Sequence, residues 1–446
     1  MSTFNVTRAQ TASIHSIGFG ISLGLGVIWG MIVNRLGTLR CGIFASILAS
    51  CGLMSCYFAT SVLHMTISIS FVYGTGYSAL AICVPVAIGE HFNEGRRKIL
   101  LLSIVNTGGA VGGIIYPFIL RYLSDWCDFR GALLILGGFT MNCIPTCFLW
   151  KLRISRRCST KSRKYEQDSN SSIQSDFSKT TIDKNKTVRL TSRETNVSHD
   201  FVQTIPIMLD DSQTRRVSIQ NGYLDKVTSI EETDKYRSLK QNFRYLIKNT
   251  RFMLFVVGFV IAYPALSLIM IFIADIYEDK SLTVEDATLA LQIMNIVGIF
   301  GRIIPGLLMQ CQRVPTLFCP LVATLLGTVV LLGMLLTTSR PHLLFICAIN
   351  GISSGMFSSM YSVIAAKLVD IKSLPTAYGV LFTSSGIGYA IAGPVCGYMR
   401  DIYSTYSVPL YGAAGMTFLS FLLFLIALSV QAKEKKKFSK PIYDLN

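Results

Sequence analysis

The chain has 446 residues, of which 51% are hydrophobic and only 15% charged, with a mean hydropathy of +0.49. Soluble domains carry about 25% charged residues, so this composition excludes an ordinary soluble enzyme and points to lipid-facing helices. The net charge of +16 does not indicate nucleic acid, because the cations sit in loops and tails between apolar stretches and form no folded, aromatic-interleaved patch.

Eleven apolar stretches carry the chain, and about 20 apolar residues suffice for a helix to cross a bilayer. Five come first, at about 16–33, 41–60, 65–89, 99–120 and 132–150. A polar segment over 151–251, rich in Ser, Thr, Lys, Arg, Asn and Asp, reads as a disordered tether. Six more stretches follow, at about 252–276, 287–310, 315–337, 343–366, 376–399 and 406–430, and a lysine-rich tail closes the chain. The predicted organisation is a short N-terminus over 1–15, a five-helix bundle over 16–150, a cytoplasmic linker over 151–251, a six-helix bundle over 252–430 and a tail over 431–446. MSTFNVTRAQ lacks the apolar core of a cleavable signal.

Alternate loops are basic: Arg35 and Arg40, then Arg96, Arg97 and Lys98, the linker, Arg313, Lys367 with Lys372, and the tail. The positive-inside rule puts these loops and the C-terminus in the cytoplasm and the N-terminus outside. The sequons at Asn185 and Asn196 then lie in the cytoplasmic linker, and Asn5 lies outside but close to the first helix. Arg215 and Arg216 before Ser218 make a plausible phosphorylation site in the linker.

Motifs for chemistry are scarce. There is no zinc helix, phosphate loop, nucleophile elbow or CxxC pair, and most of the twelve cysteines lie inside apolar stretches as small packing residues. No metal site, cofactor or catalytic residue is predicted. Small residues four apart, at Gly26 and Gly30, Gly108 and Gly112, Gly109 and Gly113, and Gly351 and Gly355, predict close helix approach. Pro117 and Pro264 are candidate bends, and Tyr263 beside Pro264 is a candidate cavity residue. Arg302 is the clearest intramembrane charge. An arginine at bilayer depth costs about 3 kcal/mol on insertion scales. Either a carboxylate, protein or ligand, compensates it through the two-pronged guanidinium fork, or it snorkels to the nearer face.

Asn34–Arg40, NRLGTLR, resembles the loop signature of the major facilitator superfamily, with Asn34 in place of the usual acidic residue, as in the monocarboxylate transporter branch. Further matches to that branch are EHFNEGRRK at Glu90–Lys98, FRGALLI at Phe129–Ile135, NIVGIFGRIIPG around Arg302, and the run over Ser358–Asp370. The resemblance implies an all-α membrane protein with the two-bundle superfamily fold, its eleven predicted transmembrane helices lacking a first helix. It implies a plasma-membrane carrier that moves small organic acids by alternating access, as a symporter or uniporter. On this resemblance Arg302 is the substrate-binding arginine, Ser358 and Tyr263 join the site, and Asn34, Arg35, Gly37, Arg40, Arg96 and Arg97 form the gating motif. Gly298 stands where proton-coupled members carry aspartate, and the coupling lysine of the absent helix has no counterpart. The implied partners are a small organic anion or related metabolite and the lipid bilayer, with a single-pass ancillary membrane protein left open and nucleic acid excluded. The alternative is a non-transporting or truncated membrane protein, a sensor or partner-binding subunit, that keeps the carrier fold.

Overall fold

The computed structural model describes residues 18, 20, 22–92, 95–150, 239–311 and 313–438, and among them every regular element is a helix. The sequons at Asn5, Asn185 and Asn196, Ser218 and most of the linker lie outside the described residues. The helices are α1 (Gly26–Leu36), α2 (Thr38–Phe58), α3 (Leu63–His91), α4 (95–126), α5 (129–150), α6 (Leu239–Lys248), α7 (Thr250–Asp279), α8 (Val284–Leu308), α9 (Phe318–Leu336), α10 (Arg340–Leu368), α11 (Leu374–Tyr403) and α12 (Ser407–Phe438).

Among the described residues, nine helical segments are long and apolar enough to cross a membrane. One of them, Gly95–Trp150, has 56 residues. Straight, it would measure about 84 Å, against an apolar bilayer core of about 30 Å. It is broken at Cys127 (φ −137°) and at Asp128, whose φ of 61° is left-handed. The break turns the chain back, so Trp150 at the end of α5 returns to His91, just before α4: the His91 ring contacts the Trp150 carbonyl at 2.7 Å. That makes ten spans among the described residues, and the shorter α1 falls at the first predicted stretch.

Local chemistry sets the ends of the spans. Gly37 joins α1 to α2 with φ +82°, a conformation that any side chain would strain. Thr283 and Asp286 form a capping box at the start of α8, and Asp286 also pairs with Arg340 at the start of α10 at 2.7 Å. Pro264 sits inside α7 without breaking it. The irregular residue is Phe272, and Pro264 packs instead against Gly388 of α11, where a Cβ would stand 2.9 Å from its ring. Pro117 likewise sits inside α4 without a break, which falls ten residues later.

The linker expected over 151–251 ends earlier than its composition indicated. Residues 239–248 form α6, which buries Asn242 and Leu246, four apart and so on one face, and Thr250 already belongs to α7. Asn249 makes the joint. Its side chain accepts from Phe252 N and donates to Leu368 O at 2.9 Å.

The second bundle is centred on aromatic packing: Phe259 stacks on Phe357 at 5.2 Å, and Phe255 on Phe424 at 6.1 Å. Its tightest crossing is between α8 and α10. A Cβ on Gly301 would lie 2.6 Å from Ile352 O, one on Gly355 2.6 Å from Gly298 O, and one on Gly351 would collide with Met294 O. Membrane helices gain van der Waals contact by this kind of backbone approach. Gly351→Val is therefore expected to lower the thermal unfolding temperature of the purified protein, at a cost of about 1–3 kcal/mol as for overpacked cores. Gly415→Ala, at a lipid-facing glycine with no atom within 4 Å of a new Cβ, is expected to leave it unchanged. Fluorescence-detected size exclusion after heating compares the two.

Candidate functional site

The α8–α10 crossing decides where Arg302 goes. Its backbone nitrogen lies 3.3 Å from a Cβ built on Gly355, and its Nη1 3.4 Å from one built on Gly298, so Gly355 admits the backbone of α8 and Gly298 leaves room for the guanidinium. The side chain is half-buried between the bundles. The groups in electrostatic reach of it are three phenols, Tyr77 of α3, Tyr263 of α7 and Tyr361 of α10, and no carboxylate among the described residues.

Each tyrosine belongs to a cluster of rings that together form an aromatic wall, Tyr77 stacking on Tyr73 at 6.3 Å. Tyr263 stacks on Phe259 at 4.9 Å and meets Tyr389 of α11 edge-on at 5.5 Å. Tyr361 meets Phe382 of α11 edge-on at 5.0 Å. Of the three sequence-predicted binding residues, Arg302 and Tyr263 come together. Ser358 lies one turn before Tyr361 on α10, half-buried, and its hydroxyl donates to Gly355 O of its own helix at 3.0 Å. Tyr77, Tyr361, Tyr389 and Asn106 escaped the sequence reading. The available signal was Asn106, an amide inside an otherwise apolar stretch.

Asn106 of α4 ties this wall to the first bundle. Tyr361 Oη donates to Asn106 Oδ1 at 2.8 Å, and Asn106 Nδ2 donates to Ser362 Oγ at 2.7 Å. Tyr378 Oη donates to Ser362 O at 3.0 Å, which extends the network into α11. Below this point, toward the basic loops, the two bundles are sealed together. A Cβ on Gly26 of α1 would lie 2.7 Å from Gly379 O of α11, and one on Gly30 2.5 Å from Pro375 O. Thr383 Oγ1 donates to Gly24 O at 2.9 Å and accepts from Val27 N at 2.8 Å. On the other side a Cβ on Gly306 of α8 would lie 2.5 Å from Ser103 of α4. Farther from the basic loops the bundles also touch, Gly113 of α4 against Asn295 of α8 and Gly20 against Ala390 of α11. Gly108, Gly109 and Gly112, also expected at a close crossing, have no neighbouring helix within 4 Å of a new Cβ.

The motif residues sit at this sealed end. Asn34 is buried, with Nδ2 donating to Thr376 Oγ1 of α11 at 3.3 Å, while its Oδ1 and the buried Ser103 Oγ have no hydrogen-bond partner. Gly37 supplies the turn. Arg35, Arg40, Arg96 and Arg97 are exposed, whereas Lys98, next along, is buried. Thr38 Oγ1 donates to Glu90 Oε2 at 3.3 Å. Elsewhere, a cavity of about 370 Å³ lined by Cys56, Met65, Asp128 and Arg130 lies at the opposite end of the first bundle and shares no residue with this site.

The family model described as Major Facilitator Superfamily matches residues 1–310 and 255–442. Human monocarboxylate transporter 14 is 25% identical over 95% of this chain and 83% of its own length. Monocarboxylate transporter 9 of Pongo abelii is 23% identical over 99% of this chain and 90% of its own. Among solved structures, the E. coli fucose:proton symporter FucP superimposes with a TM-score of 0.58 at 12% identity, covering 94% of this chain and 92% of that one. The proton:xylose symporter XylE does so with a TM-score of 0.61 at 11% identity, covering 94% and 87%.

The Tyr361–Asn106 hydrogen bond joins the two bundles, and one such bond contributes about 1 kcal/mol. Tyr361→Phe is expected to raise the population open at the basic-loop end about fivefold. Spin labels placed at Arg35 and Lys372 would report this as a longer distance component. An unchanged distance distribution would remove this bond from the seal.

Proposed function

Since the chain belongs to the major facilitator superfamily, and so is a multi-pass membrane carrier and not an enzyme, we propose that it transports small organic acids, monocarboxylate-like solutes, by alternating access. The observation that carries this reading is the half-buried Arg302, which has phenols and, among the described residues, no carboxylate around it. A guanidinium in that setting has a desolvation cost that an incoming carboxylate offsets with two parallel, charge-assisted hydrogen bonds. The relatives named monocarboxylate transporters support the same ligand chemistry.

In this mechanism the carboxylate docks on Arg302, and the body of the solute lies against Tyr263 and the neighbouring aromatic faces, with Ser358 on the same face of α10. The carboxylate also offers Tyr361 Oη a charged acceptor in competition with the neutral Asn106 Oδ1. Hydrogen bonds to charged acceptors are roughly twice as strong, so ligand binding draws Tyr361 away from the first bundle and loosens the seal. Asn34, Gly37 and the exposed Arg35, Arg40, Arg96 and Arg97 act at the sealed end, which gates release. We place the carrier in the plasma membrane with its basic loops and C-terminus in the cytoplasm, on the charge asymmetry of the loops.

The test is uptake of a panel of labelled monocarboxylates into proteoliposomes. Arg302→Gln should reduce uptake by about a hundredfold or more, the loss expected when a charge-assisted bidentate contact disappears, while protein yield and melting temperature stay unchanged. Arg302→Lys should recover only part of it, because a point charge does not reproduce the planar fork. Undiminished uptake by Arg302→Gln would take Arg302 out of the site.

A further inference from the structure

The short helix α6 and the turn before α11 form one exposed rim at the basic-loop end. Ser373 Oγ donates to Asn242 Oδ1 at 2.9 Å, and both residues are fully buried. Around this buried bond the outward side chains include cations and branched apolar groups, beside Gln241 and Asp370. Arg244 and Lys248 of α6 and Lys372 of the turn are exposed cations. Ile247 and Ile371, directly beside them in sequence, are 64% and 42% exposed. No acidic residue occurs in α6, and Asp370, at the edge of the turn, has an interaction of its own.

Depth is set by covalent continuity. The single residue Asn249 separates α6 from α7, whose apolar run begins at Phe252, so the C-terminal end of α6 lies within about one turn of the start of that run. A merely solvated face would not pair branched apolar side chains with its cations. An amphipathic helix at the interface does so, with the apolar groups among the acyl chains and the cations at the phosphates.

We infer that Arg244, Lys248 and Lys372, with Ile247 and Ile371 between them, form a binding site for anionic phospholipid headgroups of the basic-loop leaflet. A cation near an anionic leaflet is worth about a fivefold gain in partition, so three give a preference of about a hundredfold over zwitterionic lipid. The site is wired to the seal between the bundles. Asn242 holds Ser373, and the next two residues, Leu374 and Pro375, are those that close on Gly89 and Gly30 of the first bundle. A bound headgroup therefore steadies α6 and the turn in the arrangement that keeps this end shut.

The experiment uses the full chain in neutral detergent, titrated with fluorescent short-chain phosphatidylserine and, separately, phosphatidylcholine. Wild type should prefer phosphatidylserine by tenfold or more, and the triple variant Arg244→Gln, Lys248→Gln, Lys372→Gln should lose most of that preference. Arg121→Gln, at an exposed cation of α4 far from this rim in the chain, should keep it. Ile247→Ser, which leaves every charge in place, should weaken phosphatidylserine binding severalfold. It gives an independent reading should the triple variant fold poorly. Full preference retained by both the triple variant and Ile247→Ser would overturn the proposal. So would displacement of the lipid by inorganic phosphate at concentrations where unlabelled phosphatidylserine is no better a competitor, since the site would then recognise free phosphate and not a membrane.

Discussion

Two helices of the second bundle touch through their backbones. Along α8 and α10, Gly298, Gly301, Gly351 and Gly355 face one another with carbonyl oxygens standing where side chains would otherwise be. In lipid there is no water to drive helices together, so association depends on this kind of van der Waals contact. The crossing also fixes function-bearing geometry. Arg302 follows Gly301 directly, and its guanidinium occupies space that Gly298 leaves free. A larger residue at either helix would separate the backbones and displace the cation together with the tyrosines of α7 and α10. Packing and ligand chemistry therefore cannot be varied independently here.

The contact between bundles uses different means. α1 and α11 approach through glycines, but the specific links are neutral hydrogen bonds: Asn34 to Thr376, Thr383 to the α1 backbone, and Tyr361 and Ser362 to Asn106. Because neither partner carries charge, salt does not screen these links as it would an exposed ion pair. Their position matters as much as their number. Tyr361 belongs at once to the aromatic wall around Arg302 and to the link across the bundles.

Much of this was legible in the sequence, for reasons that particular residues make clear. Long apolar stretches must become helices in lipid because every backbone group has to be satisfied internally, and the chain obeys this even where α4 and α5 run together. Arg302 stood out because charge in an apolar stretch is costly, and Gly26, Gly30, Gly351 and Gly355 because small residues four apart mark close crossings. What escaped depended on distance along the chain. Asn106 and Tyr361 are 255 residues apart, and neither carries a charge to betray the pairing. α6 was hidden by the polar composition of the segment it ends, since among its described side chains just Asn242 and Leu246 are fully buried. Ser358 was named from its position alone, which says nothing of the bond its hydroxyl donates to its own helix.

The seam at the basic-loop end leaves two of its own polar atoms without a partner. Asn34 Oδ1 and Ser103 Oγ are buried there and accept or donate nothing. Each such orphan costs about 1–3 kcal/mol, which offsets part of what the neighbouring hydrogen bonds contribute. The closed arrangement is thereby kept in a shallow well. A seam with every atom satisfied would hold the bundles more firmly and open more slowly, whereas this one returns some of its energy on opening, when water reaches both atoms. In the alternating mechanism we propose, incomplete bonding at the seal would favour exchange between the two states.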